Sequence, residues 1–175
     1  VVNFTSAGGN IQTADFCISP NGVHNDIDVT LIPISRARPG FDATYKLVYT
    51  NKGTTTLSGN VELVFDDGKM NFIVSTPAVT TQATGLLSWA YTSLQPFETR
   101  SIDIQFNVLP PPVNNINDSL FFTCNITPLA ADETPFDNSF EMEQLITGSF
   151  DPNDKNCLEG DKIDITRVGG YGHYL

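Results

Sequence analysis

Positive charge is scarce in this sequence: nine Lys and Arg stand against twenty Asp and Glu, a formal net charge of −11. Such a chain repels nucleic acid and anionic lipid, and it suits basic partners or divalent cations. Histidine is nearly absent, and neither His24 nor His173 has a Ser, Cys or metal-type neighbour at a recognised spacing. No nucleophile elbow, HExxH, P-loop or dinucleotide fingerprint occurs, so the reading is of a chain without catalytic residues. The three cysteines, Cys17, Cys124 and Cys157, form no CxxC and fit no zinc spacing. Apolar runs stay well short of the ~20 residues that a membrane span requires. The chain starts at Val1 with no charged and apolar leader, so any export signal is expected to have been removed or to lie outside this stretch.

What the sequence does have is alternation. In Phe41 to Asn51, Phe41, Ala43, Tyr45, Leu47 and Tyr49 share one face, and Asp42, Thr44, Lys46 and Thr50 share the other. Asn51-Lys52-Gly53 then supplies turn chemistry. The same period recurs in residues 26–33, 60–66, 70–75, 85–91, 99–109, 118–126 and 138–147. Val, Ile, Thr, Phe and Tyr dominate these stretches, which favours strands. Asp67-Gly68 marks a hairpin, residues 76–84 read as an exposed loop, and Pro110-Pro111-Pro112 ends a strand for want of N–H donors. Trp89 is expected as a core anchor and Cys124 as a small buried hydrophobe.

Eight candidate strands and no helix predict an all-β fold, an immunoglobulin-like β-sandwich of about 7–8 antiparallel strands, with a jelly roll as the alternative. The domain is placed at 26–148, with 1–25 as the tail of a preceding unit and 149–175 as a junction and the start of a next repeat. Arg, Gly and Tyr recur at matching offsets in Arg38 to Tyr45 and Arg167 to Tyr174, and Pro20-Asn21 recurs as Pro152-Asn153, which suggests a tandem array whose partners are neighbouring repeats.

Asp151, Asn153 and Asp154, joined by Asp132, Glu133 or Asp137 from the loop ADETPFDN, offer oxygen ligands of the kind Ca²⁺ takes. Alternatively Asp151 and Asn153 close a proline-bearing turn by side chain to backbone hydrogen bonds. Cys17 and Cys157 flank the domain and form a candidate disulfide. An accessory carbohydrate-binding module would need exposed rings, for which Tyr91, Phe97, Phe121 and Phe136 are the candidates.

The run from Tyr45 to Gly53, continuing in Leu57 to Phe65, resembles the Y-x-x-x-x-x-N-x-G strand of bacterial surface-protein repeat domains. Gly148-Ser-Phe-Asp-Pro-Asn-Asp-Lys155 is similar to the SFDPNDK junction of large secreted Bacteroidetes proteins associated with type IX secretion. The resemblance implies an immunoglobulin-like, non-catalytic module on the cell surface or secreted, a spacer or partner-binding repeat with a protein or glycan ligand and no membrane insertion.

Overall fold

The computed structural model describes residues 21–148. Within them the chain forms nine strands: β1 Ile27–Pro33, β2 Asp42–Asn51, β3 Leu57–Phe65, β4 Met70–Thr76, β5 Thr81–Ala83, β6 Leu86–Leu94, β7 Thr99–Val108, β8 Ser119–Ile126 and β9 Ser139–Leu145. All strand pairs are antiparallel, in one sheet ordered β1-β2-β7-β4 and another ordered β5-β6-β3-β8-β9. Leaving out the β5–β6 hairpin, the order is that of the immunoglobulin ABED and CFG sheets, not of a jelly roll. The hairpin extends the second sheet beyond β3, and β5 lies inside the stretch expected as a loop.

Alternation decides which residues meet between the sheets. Ala43, Tyr45, Leu47 and Tyr49 from β2, and Ile102, Ile104, Phe106 and Val108 from β7, face Val61, Leu63, Leu120, Phe122 and Cys124 across the core. Each such side chain stabilises the fold by about 1.5–3 kcal/mol, so a one-residue slip in register is strongly opposed. Aromatic rings bridge the layers: Tyr45 lies 4.8 Å from Phe122, Phe65 4.8 Å from Phe106, and Tyr49 5.5 Å from Tyr91. Trp89 is buried and its Nε1 donates to Ser75 Oγ. Cys124 is a buried free thiol whose pKa burial pushes up to about 12. Phe41 departs from its expected inward place. It precedes β2 in a turn where its N–H donates to Arg38 O, and the ring turns out to solvent.

Strand directions give the sandwich two poles. β1 begins beside the end of β2 and the start of β7, and β9 ends beside the start of β8. The described chain therefore arrives at one pole, the inlet, and leaves β9 at the other, the outlet. The length of the longest strands sets the poles roughly 30 Å apart.

Candidate functional site

The residues that draw the first and last described strands together lie at the inlet pole and along the flank between β1 and β9. The Asn51-Lys52-Gly53 turn is its base. Asn51 is fully buried; its Nδ2 donates to Thr55 O and Leu94 O, and its Oδ1 accepts from Gly53 N. One side chain thus holds the carbonyls of Thr55 and Leu94 and shares the Gly53 N–H with Asp26 O. Lys52 N and Gly53 N both donate to Asp26 O, and Thr54 N donates to His24 O. A Cβ at Gly53 would stand 2.4 Å from His24 O, so only glycine lets the arriving chain lie this close. Residues 22–25 are accordingly packed on the sandwich, with Thr54 Oγ1 donating to Gly22 O and accepting from His24 N.

From this turn a row of bonds runs down the flank. Glu133 N donates to Asn25 O, Ile27 N to Asp132 Oδ2 at 3.0 Å, and Val29 N to Asp137 O at 3.2 Å. Further along, Gln144 Nε2 donates to Ser35 O, Tyr45 Oη donates to Gln144 Oε1, and Thr147 N donates to Ala37 O. β1 and β9 run in the same direction here, and Asn25 and Asp132 form a parallel bridge. Opposite pulls along β1 and β9 would load the bonds between residues 25–37 and 132–147 in shear.

Asp26, Asp132 and Asp137 converge at the top of this row, with carboxylate oxygens within 4.8 Å of one another. Asp132 is fully engaged, since Oδ1 accepts from Thr134 N and Oδ2 from Ile27 N. Lys52 Nζ bridges Asp28 and Asp137 at 2.8 and 3.0 Å. Oδ1 of Asp26 and Oδ1 of Asp137 are sealed from solvent and accept no hydrogen bond among the described residues. Loss of hydration, reinforced by the charges of Asp137 and Asp132, holds the Asp26 carboxyl above its ordinary pKa. The hydrogen bond to Asp28 raises the Lys52 ammonium, and Asp137 adds to it. Such a cluster gains from a proton or from a hard cation. His24 Nδ1 pairs with Glu133 Oε1 at 2.5 Å beside it, and this hydrogen bond raises the imidazole pKa.

Of the oxygen ligands expected from sequence, Asp132 and Asp137 do come together, but around Asp26, which alternation alone places on an outward strand face. Asp151, Asn153 and Asp154 lie outside the described residues, as do Cys17 and Cys157. The four candidate rings do not share a surface. Tyr91 is a core residue whose Oη donates to Thr127 O, which removes it from any exposed platform. Phe97 and Phe136 are exposed at the inlet pole, and Phe121 is exposed on the outer face of β8. A hollow of about 670 Å³ lies instead between β4 and the β5–β6 turn. Its walls include Asn71, Phe72, Gln82 and Thr84, and Asp67 is the one ionisable group lining it.

No family model and no curated protein matches the chain. Among solved structures it is similar to the CARDB domain of the PF1109 protein from Pyrococcus furiosus in complex with di-metal ions, at 15% identity and a TM-score of 0.47, over 72% of this chain and 96% of that one. It is also similar to a chain of the CaDoc0917–CaCohA2 complex, at 14% identity and a TM-score of 0.42, over 68% and 99%. A third is BslA, a bacterial hydrophobin, at 13% identity and a TM-score of 0.41, over 76% and 100%. The fold described above rests on the strand registers. No helix among the described residues is long and apolar enough to cross a membrane.

Proposed function

We propose that this chain is a non-catalytic structural module of a large secreted or cell-surface bacterial protein, a spacer that carries tension between the units on either side of it. One observation supports this above the rest: the arriving and departing strands run the same way, and hydrogen bonds tie β1 to the 132–137 loop before β9, and β9 and Thr147 to the 35–37 loop after β1. Tension applied at the two poles pulls β1 toward the inlet and β9 toward the outlet. The joined strands then resist as a set, in the direction in which hydrogen bonds fail together rather than one at a time. The junction motif after Gly148 and the Tyr45 to Gly53 motif support the surface setting, and the second of these is the turn on which the clamp is built.

Single-molecule unfolding of the full chain, held at its ends, tests the reading with Asp132→Ala. That substitution removes the acceptor of Ile27 N and Thr134 N while sparing the core. The rupture force should fall; an unchanged force would refute a clamp at this flank. A second reading, glycan binding, draws support from the amide and hydroxyl side chains around the hollow beside Phe72. Binding on a broad glycan array lost in a Gln82→Ala, Asn71→Ala double variant would favour it over the spacer.

A further inference from the structure

The two poles differ in their balance of charge. Six cations occur among the described residues. Lys46, Lys52 and Arg100 are in ion pairs. Arg36, Arg38 and Lys69 have no carboxylate within ion-pair distance among the described residues, and all three stand at the outlet pole, in the loops at 34–41 and 66–69. Of the carboxylates at that pole, Asp42 accepts from Gln105 and Asn107, Asp66 caps Gly68 N and Asp118 accepts from Asn115 N, while Asp67 is exposed. The inlet pole is more acidic: Asp26, Asp28, Glu98, Asp132, Glu133 and Asp137 outnumber Lys52 and Arg100 there, and Glu133, whose Oε1 pairs with His24, is half exposed.

Shape and apolar surface follow the same division. Arg36, Arg38, Phe41, Ser35 and Asp42 line an open hollow of about 430 Å³ at the outlet pole. Phe41 is 56% exposed, and Ile34, Val113 and Ile116 are exposed around it. At the inlet pole Phe136 is 82% and Phe97 68% exposed. Phe97 also holds a positive φ of 62°, a strained place for an aromatic residue, and its N–H donates to Asn51 O. The backbone thus fixes a bare ring at the inlet pole, and the 127–138 loop presents Glu133 and Phe136 three residues apart.

We infer that the outlet pole of one copy of this module docks on the inlet pole of the next, the Arg36 and Arg38 guanidinium groups taking Glu133 and its neighbouring carboxylates while the Phe136 ring enters the hollow against Phe41. Guanidinium groups match carboxylates in a planar, two-pronged way, and an aromatic ring beside such a pair is the usual composition of an interface centre. Inlet against inlet would oppose carboxylates, and outlet against outlet would oppose arginines, so the charges select head-to-tail contact. A contact between different poles does not close on itself, so copies form an open row. The inference rests on the spacer reading, to which it adds the partner: within one polypeptide a short linker would favour the same contact by raising its effective concentration.

Sedimentation velocity of the full chain, from micromolar to millimolar concentration at low salt, is the test. Wild type should associate into elongated species that grow past the dimer and shrink as salt is added. Arg36→Glu with Arg38→Glu should weaken association roughly tenfold or more, and mixing this variant with Glu133→Arg should restore it. Phe136→Ser, at an exposed position that cannot disturb the core, should weaken it as well. A wild type that stays monomeric, a dimer that does not grow, or arginine variants that associate like wild type would each overturn the docking. A monomeric wild type whose end-to-end rupture force still falls with Asp132→Ala would leave the spacer reading intact, whereas association without that fall would remove the spacer reading and keep the contact.

Discussion

The two flanks of the sandwich are built differently. On one flank, β1 bonds to the loop before β9 through Asp132 and Asp137 O, and β9 and its exit bond to the loop after β1 through Gln144 and Thr147, with the buried Asn51 turn closing the top. On the other, β4 carries a bulge between Phe72 and Val74, β5 is three exposed residues long, and a hollow separates them. A bulged edge and a short edge both discourage further pairing, which protects an unjoined flank from aggregation without strengthening it. Stitching is therefore concentrated where the chain enters and leaves, which is where tension would act.

The largest expected effect on this contrast comes from Asn51→Ala. It takes the side-chain donor from Thr55 O and Leu94 O in a buried turn and leaves Gly53 N only Asp26 O, and should lower unfolding free energy in chemical denaturation by about 2 kcal/mol or more. Loss of less than about 1 kcal/mol would mean the turn is not the base of the clamp.

Asp26→Asn acts in the opposite direction. Folding raises the Asp26 pKa, so the folded chain binds this proton more readily than the unfolded one, and the ionised carboxylate destabilises the fold above the raised pKa. The variant should be more stable than wild type near neutral pH by about 1–2 kcal/mol, because it removes one of three converging charges and its Nδ2 can donate to the unpartnered Asp137 Oδ1. That difference should shrink as pH falls through the raised pKa toward the ordinary aspartate value. Any rise in Tm that millimolar Ca²⁺ gives wild type should disappear in the variant. A difference that is constant with pH would show that the effect is not ionisation.

His24 gives a smaller effect on the same flank. Its pKa is raised by Glu133, so its contribution is complete below the unfolded value and is lost as pH rises through the folded one. Glu133→Gln should flatten that loss in thermal melts between mildly acid and mildly alkaline pH. Smallest of all, Gln82→Ala on the open flank should change stability by less than about 0.5 kcal/mol, since its side chain is exposed on a three-residue edge strand.

Much of the fold is legible in residue alternation alone. The faces of β2, β7 and β8 follow the two-residue period almost without exception, because long pairings on both sides and a deep core leave no other solution. Phe41 breaks the pattern because the turn bond to Arg38 O, not the period, sets its direction. β5 and the ends of β3 and β6 are not legible: Thr81, Gln82 and Ala83 bury nothing, so the only record of that strand is backbone pairing with Leu86 to Ser88. The clamp is half legible. The loop holding Asp132 and Asp137 stands out for its oxygens, but its partner is Asp26, more than a hundred residues earlier, and an aspartate beside a strand looks the same whether it faces water or other carboxylates. Asn51 and Gly53 read as a hairpin turn; their real demand, close approach of the 22–26 backbone, appears only once the chain is folded.

Force spectroscopy of the full chain in two pulling directions tests the difference between the flanks most directly. With handles at the chain ends the bonds of the β1 and β9 flank are loaded in shear, and with handles at Asn71 and Gln82 the open flank is drawn apart. A clamp requires a clearly higher rupture force in the first geometry, reduced toward the second by Asp132→Ala. Equal forces in the two geometries would contradict a spacer built to carry tension along β1 and β9.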